Sequence, residues 1–155
     1  MLVILSFSSI ISFHLEAKEV GTVMELGWAD LVPSNWVPPL IQPDLSKEHE
    51  ADPKSLVAAL DMQEVKIPGY MLPIKISGNL VSEFVLMPFL DHHTQVHIHH
   101  EPNQMVYVIL TEPAQIANPF LPVWATGEMY LQSTETDKGH TGYTLKAASI
   151  EPYLY

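Results

Sequence analysis

From residue 61 onward the apolar residues alternate in short runs bounded by proline, glycine and polar turns, and this period of two is what most constrains the chain. Side chains along a strand point to opposite faces in turn, so such runs read as half-buried strands. Residues 64–70 (EVKIPGY) alternate, residues 74–76 do the same, and Ser77-Gly78-Asn79 is a turn signal before residues 80–89. Residues 105–110 (MVYVIL) form a dense apolar run that predicts a strand covered on both faces. Residues 123–131 and 143–151 complete the set, with the polar stretch 132–142 between them. Five or six such segments predict a mainly β fold, a small antiparallel five- or six-stranded barrel or sandwich. The order of the strands, with Gly69 in the first and Gly127 in a later one, looks like an oligonucleotide-binding-type barrel, because glycine permits the sharp coiling that closes a small barrel.

At 155 residues the chain is long enough for one core and short for two, so one β domain over residues 54–155 is expected. Ahead of it, residues 18–53 are rich in proline. Proline removes a backbone donor, so this arm is expected to run extended over the domain and to dock through Trp28 and Trp36. Residues 54–60 could make one or two helical turns. Residues 2–13 (LVILSFSSIISF) are of signal-peptide length and too short to span a bilayer, and Leu15-Glu16-Ala17 is a fair match to a cleavage site. Residues 1–17 are therefore expected to be a signal peptide, with a periplasmic mature chain and no transmembrane span. There is no cysteine, which excludes disulfides, thiolate metal sites and a cysteine-borne lipid anchor. The 18 acidic against 7 basic residues give a formal charge of −11, which repels phosphate backbones and excludes a basic footprint for nucleic acid.

Nitrogen donors concentrate in one place. Five of the eight histidines fall within nine residues, in the run 91–101 (DHHTQVHIHHE). Neutral imidazole is the commonest protein metal ligand, and a strand carrying His97 and His99 two residues apart points both to one face, where one ion can meet both. Val96 and Ile98 alternate with them, as in a half-buried strand, while His100 falls on the Val96 side and is the weaker partner. Pro102 should end that strand. His92 or His93 would complete the shell, with Asp91 or Glu101 contributing an oxygen or an outer hydrogen bond. His140, in the run 137–142, could close over the site, although a lone loop histidine is more often simply exposed. His14 leaves with the signal segment and His49 reads as a solvated residue. A histidine and carboxylate set without thiols favours zinc, with copper possible. Met87 and Met105 flank the run and could serve copper, but both sit in apolar segments and read as packing residues.

Several phrases of the chain together resemble a known family. They are residues 25–33 (ELGWADLVP), 65–73 (VKIPGYMLP), 83–89 (EFVLMPF), 102–108 (PNQMVYV), 122–127 (PVWATG) and the pair Gly142-Tyr143. They resemble the bacterial envelope family catalogued as domain of unknown function 3299. The resemblance implies an exported or lipid-anchored envelope protein with no established reaction, and for some members a gene beside transporter components under zinc-responsive control. A possible envelope transporter component is thus the implied partner. Members usually carry a Gly-Ala-Cys-Ile-His segment and a proline run before the Asn-Gln pair. Here residues 91–101 bring histidines in place of the cysteine and most prolines, so His97, Pro102, Asn103 and Gln104 are the positions that carry over.

Three functional classes compete. The first is a periplasmic metal-binding protein that buffers zinc or passes it to a transporter. The second is a cupin-like metal-dependent enzyme, since His97-Ile98-His99 resembles the paired strand histidines of such sites and an open coordination position would let metal-bound water hydrolyse a substrate. The expected downstream carboxylate is replaced by Asn103 or Gln104, and no nucleophile–base–orienter set is legible elsewhere. The third is a metal-free binding or assembly module presenting Trp28, Trp36 and Trp124, whose competing explanation is core packing.

Overall fold

The computed structural model describes residues 22–37, 51–89, 101–116, 118 and 121–153. Its strands are β1 (Met24–Glu25), β2 (Gln63–Ser77), β3 (Leu80–Met87), β4 (Val106–Gln115), β5 (Val123–Tyr130), β6 (Thr134–Thr136), β7 (Gly139–Thr141) and β8 (Tyr143–Pro152). Five of them close a barrel in the order β2-β3-β4-β8-β5, with β5 returning to β2, and β1 adds a sixth strand beside β2. This is a small oligonucleotide-binding-like barrel. An odd number of strands cannot alternate direction all the way around a closed ring, so one seam must be parallel. That seam joins β4 to β8, from Val106 opposite Tyr143 to Leu110 opposite Ala147. The other four seams are antiparallel, as the sequence implied. Parallel neighbours need a long crossover, and here β5 and the β6–β7 hairpin supply it.

The 15-residue β2 explains how so few strands close. Its first half pairs with β5, from Gln63 to Gly69, and its second half with β3, from Tyr70 to Ser77. Two segments separated by Pro73 in the sequence are therefore one strand. Pro68 falls beside the handover and Pro73 beside a register shift, the places where a strand tolerates a missing donor. A Cβ on Gly69 would lie 2.9 Å from Trp28 Cζ2 and 2.8 Å from the Met87 carbonyl oxygen. Gly127 is tighter, because a Cβ there would lie 2.2 Å from the Lys146 carbonyl oxygen, where β5 and β8 change register.

The alternation places Val65, Ile67, Phe84, Leu86, Val108 and Leu145 in the barrel interior, each fully buried. Trp28 packs against this core from below, and its indole N–H donates to the Pro68 carbonyl at 2.7 Å. The stretch 54–60 forms two short 3-10 turns, Pro53–Ser55 and Ala58–Leu60, rather than an α-helix, the first opened by Asp52 accepting from the Lys54 N–H at 2.9 Å. Among the described residues no helix is long and apolar enough to cross a membrane. The expected signal peptide, residues 1–17, and residues 38–50 of the proline-rich arm lie outside the described residues.

Candidate functional site

The histidine run belongs to the connection from β3 to β4. These strands are neighbours, with Leu86 opposite Val106, so the connection leaves and re-enters the barrel at adjacent points of one end. Asp91, His92, His93, His97, His99 and His100 lie outside the described residues, and with them the strand expected through His97 and His99. Glu101 is described, exposed, and leads into the 3-10 turn Pro102–Gln104, so the chain after the run turns where proline was expected to stop it. Among the described residues no group of three or more histidines and carboxylates is placed to hold a metal ion.

The base of that connection is tied down by an extensive polar network. Asn103 is 1% exposed, and its amide N–H donates to the Ser55 carbonyl at 3.1 Å. Its Oδ1 is buried without a hydrogen-bond partner. The Gln104 amide N–H donates to the Trp28 carbonyl at 3.1 Å, while the Gly142 N–H donates to the Pro102 carbonyl at 2.6 Å. Tyr143 lies fully buried one residue on, its hydroxyl donating to the Leu31 carbonyl at 2.8 Å and accepting from the Val57 N–H at 2.7 Å. Burial pushes its phenol above the ordinary value, and the Val57 N–H pulls it partly back. Segments far apart in sequence, around Trp28, Ser55, Asn103 and Tyr143, thus meet at one end of the barrel. They include several of the phrases on which the family resemblance rests.

The polar stretch 132–142, expected to separate two strands, is itself the β6–β7 hairpin, with Glu135 opposite His140. The hairpin lies against the base of the histidine connection, since a Cβ on Gly139 would sit 3.2 Å from Met105 Cε. Thr141 on the same strand is fully buried. Alternation therefore turns His140 to the opposite face of the hairpin, the side of Glu135, where it is half-buried. Met87 and Met105 are buried, as apolar strands implied, but not in the barrel interior: with Val85 they form a second cluster on the outer face of β3 and β4.

That outer face also carries a charged group that the sequence reading did not single out. Lys75 Nζ stands 2.6 Å from Glu83 Oε1, and the Tyr107 hydroxyl donates to Glu83 Oε2. Burial works to raise the Glu83 carboxyl, but hydrogen bonds from Lys75 and Tyr107 and the Lys75 charge outweigh it and hold the group below its ordinary value. Tyr107 is pushed up to about 12 by burial, by its bond to Glu83 and by the Glu83 charge. Nothing in the spacing of Lys75, Glu83 and Tyr107 announces the trio, because the pairing of β3 with β4 brings Glu83 and Tyr107 to one face and a register shift in β2 brings Lys75 to them.

The fold and these contacts define a small closed β-barrel, one end of which is latched by side-chain-to-backbone bonds around the turn that follows the histidine-rich segment. Residues 28–152 match the family described as a protein of unknown function, DUF3299, and the chain belongs to that family. A crystal structure of a DUF3299 family protein from Pseudomonas aeruginosa is similar to it, with a TM-score of 0.66 and 30% identity, covering 87% of this chain and 99% of that one. No curated protein matches the chain.

Proposed function

We propose that this chain is an exported, periplasmic metal-binding protein that buffers zinc or delivers it to a transporter component through its histidine-rich segment. The observation that carries the reading is the concentration of five histidines in nine residues, in a chain whose other three histidines lie far apart. Its position supports the reading, because the segment is rooted at both ends in paired strands and its base is fixed by Asn103, Gln104 and Gly142. A connection with anchored ends loses less conformational entropy on closing around an ion than a free tail of the same composition. His97 and His99 would be the principal ligands, supplemented by His92 or His93, with Asp91 or Glu101 orienting them. Copper is the alternative ion for an imidazole set. His140, on the Glu135 side of its hairpin, is the further imidazole that could close over such a site.

Calorimetric titration of untagged protein tests the assignment. His97→Ala and His99→Ala should each weaken zinc binding at least tenfold, about 1.4 kcal/mol, while His49→Ala leaves it unchanged. Equal losses at all three positions would mean a diffuse cationic sink rather than a site. Export is tested separately by the intact mass of the chain recovered from the envelope fraction, which should begin at Lys18. Recovery of the chain from the cytoplasm with residues 1–17 retained would overturn the localisation.

A further inference from the structure

Part of the outer face of β2, β3 and β4 is apolar around the ion pair of Lys75 and Glu83. Val85, Met87 and Met105 form its floor, with Tyr70, Leu72, Ile74 and Tyr107 packed against them. Alternation with Val85 and Met87 places Glu83 on this face, but it would not place Lys75 here. In β3, Val81 and Phe84 both face the barrel core although they are three residues apart, and the register shift between Val81 and Glu83 absorbs the extra residue. In β2, Met71 faces the core, so unbroken alternation would turn Lys75 inward; the shift between Pro73 and Lys75 brings it opposite Glu83 instead. Bulges re-aim side chains in this way, often beside functional sites. The result is a carboxylate held from one side by the Tyr107 hydroxyl and covered from the other by a lysine.

The two partners of that ion pair are unequal. The Glu83 side chain is 16% exposed and the Lys75 side chain 65% exposed, so a fixed carboxylate is met by an ammonium reaching in from solvent. A pair of this kind is weakly held, because the lysine gives up side-chain freedom for an interaction that water screens. A guanidinium or ammonium that arrives together with apolar neighbours has an advantage over Lys75, since its own apolar contacts with the surrounding face share the ordering cost. Barrels of this architecture take ligands on the corresponding strands. Here the centre of the face is an acid and the whole chain carries −11, which inverts the charge that a nucleic acid would require and favours a cationic visitor.

We propose that this face docks a basic, amphipathic segment of a partner protein, with one of its Arg or Lys side chains replacing Lys75 on Glu83 and its apolar side chains covering Leu72, Ile74 and Tyr107. The probes are two synthetic heptapeptides, acetyl-Val-Arg-Val-Arg-Val-Arg-Val-amide and its counterpart with glutamate in place of arginine. Binding to the full chain is followed by amide chemical shifts at low salt. The arginine peptide should shift Leu72, Val85 and Tyr107, and the glutamate peptide should not. Glu83→Gln should weaken binding at least tenfold, while Glu112→Gln, which removes an exposed acid on β4, should leave it unchanged. Lys75→Ala should tighten binding at least threefold, because it removes the competitor; the lysine is exposed, so this variant tests the idea even if Glu83→Gln disturbs folding. The proposal fails if Lys75→Ala does not tighten binding, if Glu112→Gln costs as much as Glu83→Gln, or if both peptides bind alike. It fails equally if the face broadens with protein concentration before any peptide is added, which would make a second copy the occupant.

Discussion

Tyr143 is the residue whose single hydroxyl does most to join distant parts of the chain. It donates to Leu31 and accepts from Val57, and its ring is fully buried beside the barrel core. Tyr143→Phe keeps the ring but strands a buried carbonyl and a part-buried N–H, so it should cost about 2–4 kcal/mol on the scale of buried polar groups left unpaired, read from urea unfolding. A cost under half a kcal/mol would mean that water replaces the hydroxyl. Glu83 and Tyr107 give a second, pH-resolved test. Glu83 is held below its ordinary value of 4.5, so its ionised form stabilises the fold above that pH and the contribution is lost as pH falls through the lower folded value. Tyr107 is raised from 10 to about 12, so its neutral form stabilises the fold below pH 10 and the contribution is lost as pH rises from 10 to 12. Comparing urea midpoints, Glu83→Gln should flatten the acid limb below pH 4.5 and Tyr107→Phe should flatten the alkaline limb between 10 and 12. Limbs identical to those of the parent chain would mean that the trio does not persist in solution.

At the scale of elements, alternation was legible wherever a strand has one buried face. The reading of residues 64–70, 80–89, 123–131 and 143–151 matches the halves or the whole of β2, β3, β5 and β8 to within a few residues. It missed that β2 is continuous, because prolines in sequence look like breaks while a strand that changes partners midway can absorb them. It missed the β6–β7 hairpin for a different reason. Threonine, glycine and charged residues give no apolar period, and the hairpin is held by Thr136 and Thr141 hydroxyls donating to the Gly139 and Thr134 carbonyls at 2.8 and 3.2 Å. Nor could the trio of Lys75, Glu83 and Tyr107 be seen, since strand pairing and register are not written in one strand's alternation and a register shift in β2 turns Lys75 to the face of the other two. Gly127 was noticed as a point where a barrel could coil, and the structure supplies the cause as close approach of β8. Gly127→Ala should therefore cost about 3 kcal/mol or more, at the upper end of overpacking, because the obstacle is the Lys146 backbone rather than a side chain that can swing away. Gly78→Ala offers the contrast in thermal melts: nothing lies within 4 Å of its Cβ position, so its cost comes from a φ of +62° alone and should be the smaller. Equal costs would place the strain in the backbone and not in the β5–β8 seam.

At the scale of the whole molecule the proposed metal binding can be read as stability, because the histidine-rich segment joins two paired strands of the barrel. An ion that binds the native chain and only weakly the unfolded one stabilises by mass action, about 2.7 kcal/mol at a hundredfold excess over the dissociation constant. Zinc should then raise the melting temperature of the parent chain and leave that of a His97→Ala, His99→Ala double variant nearly unmoved. Because imidazole binds metal only when neutral, protons compete with zinc around pH 6.5, the reference value for histidine. The zinc-induced rise should accordingly shrink between pH 7.5 and 5.5, with protons released on binding at the lower pH. Carboxylates would behave differently, since they stay ionised across that interval and their affinity would hold. A zinc response of equal size at both pH values would therefore assign the ion to the chain's 18 acidic residues and remove the histidine run from the proposal, whereas a response confined to the higher pH would place it on imidazoles. Such dependence would tie metal retention to the acidity of the chain's surroundings, with zinc held near neutrality and released on acidification.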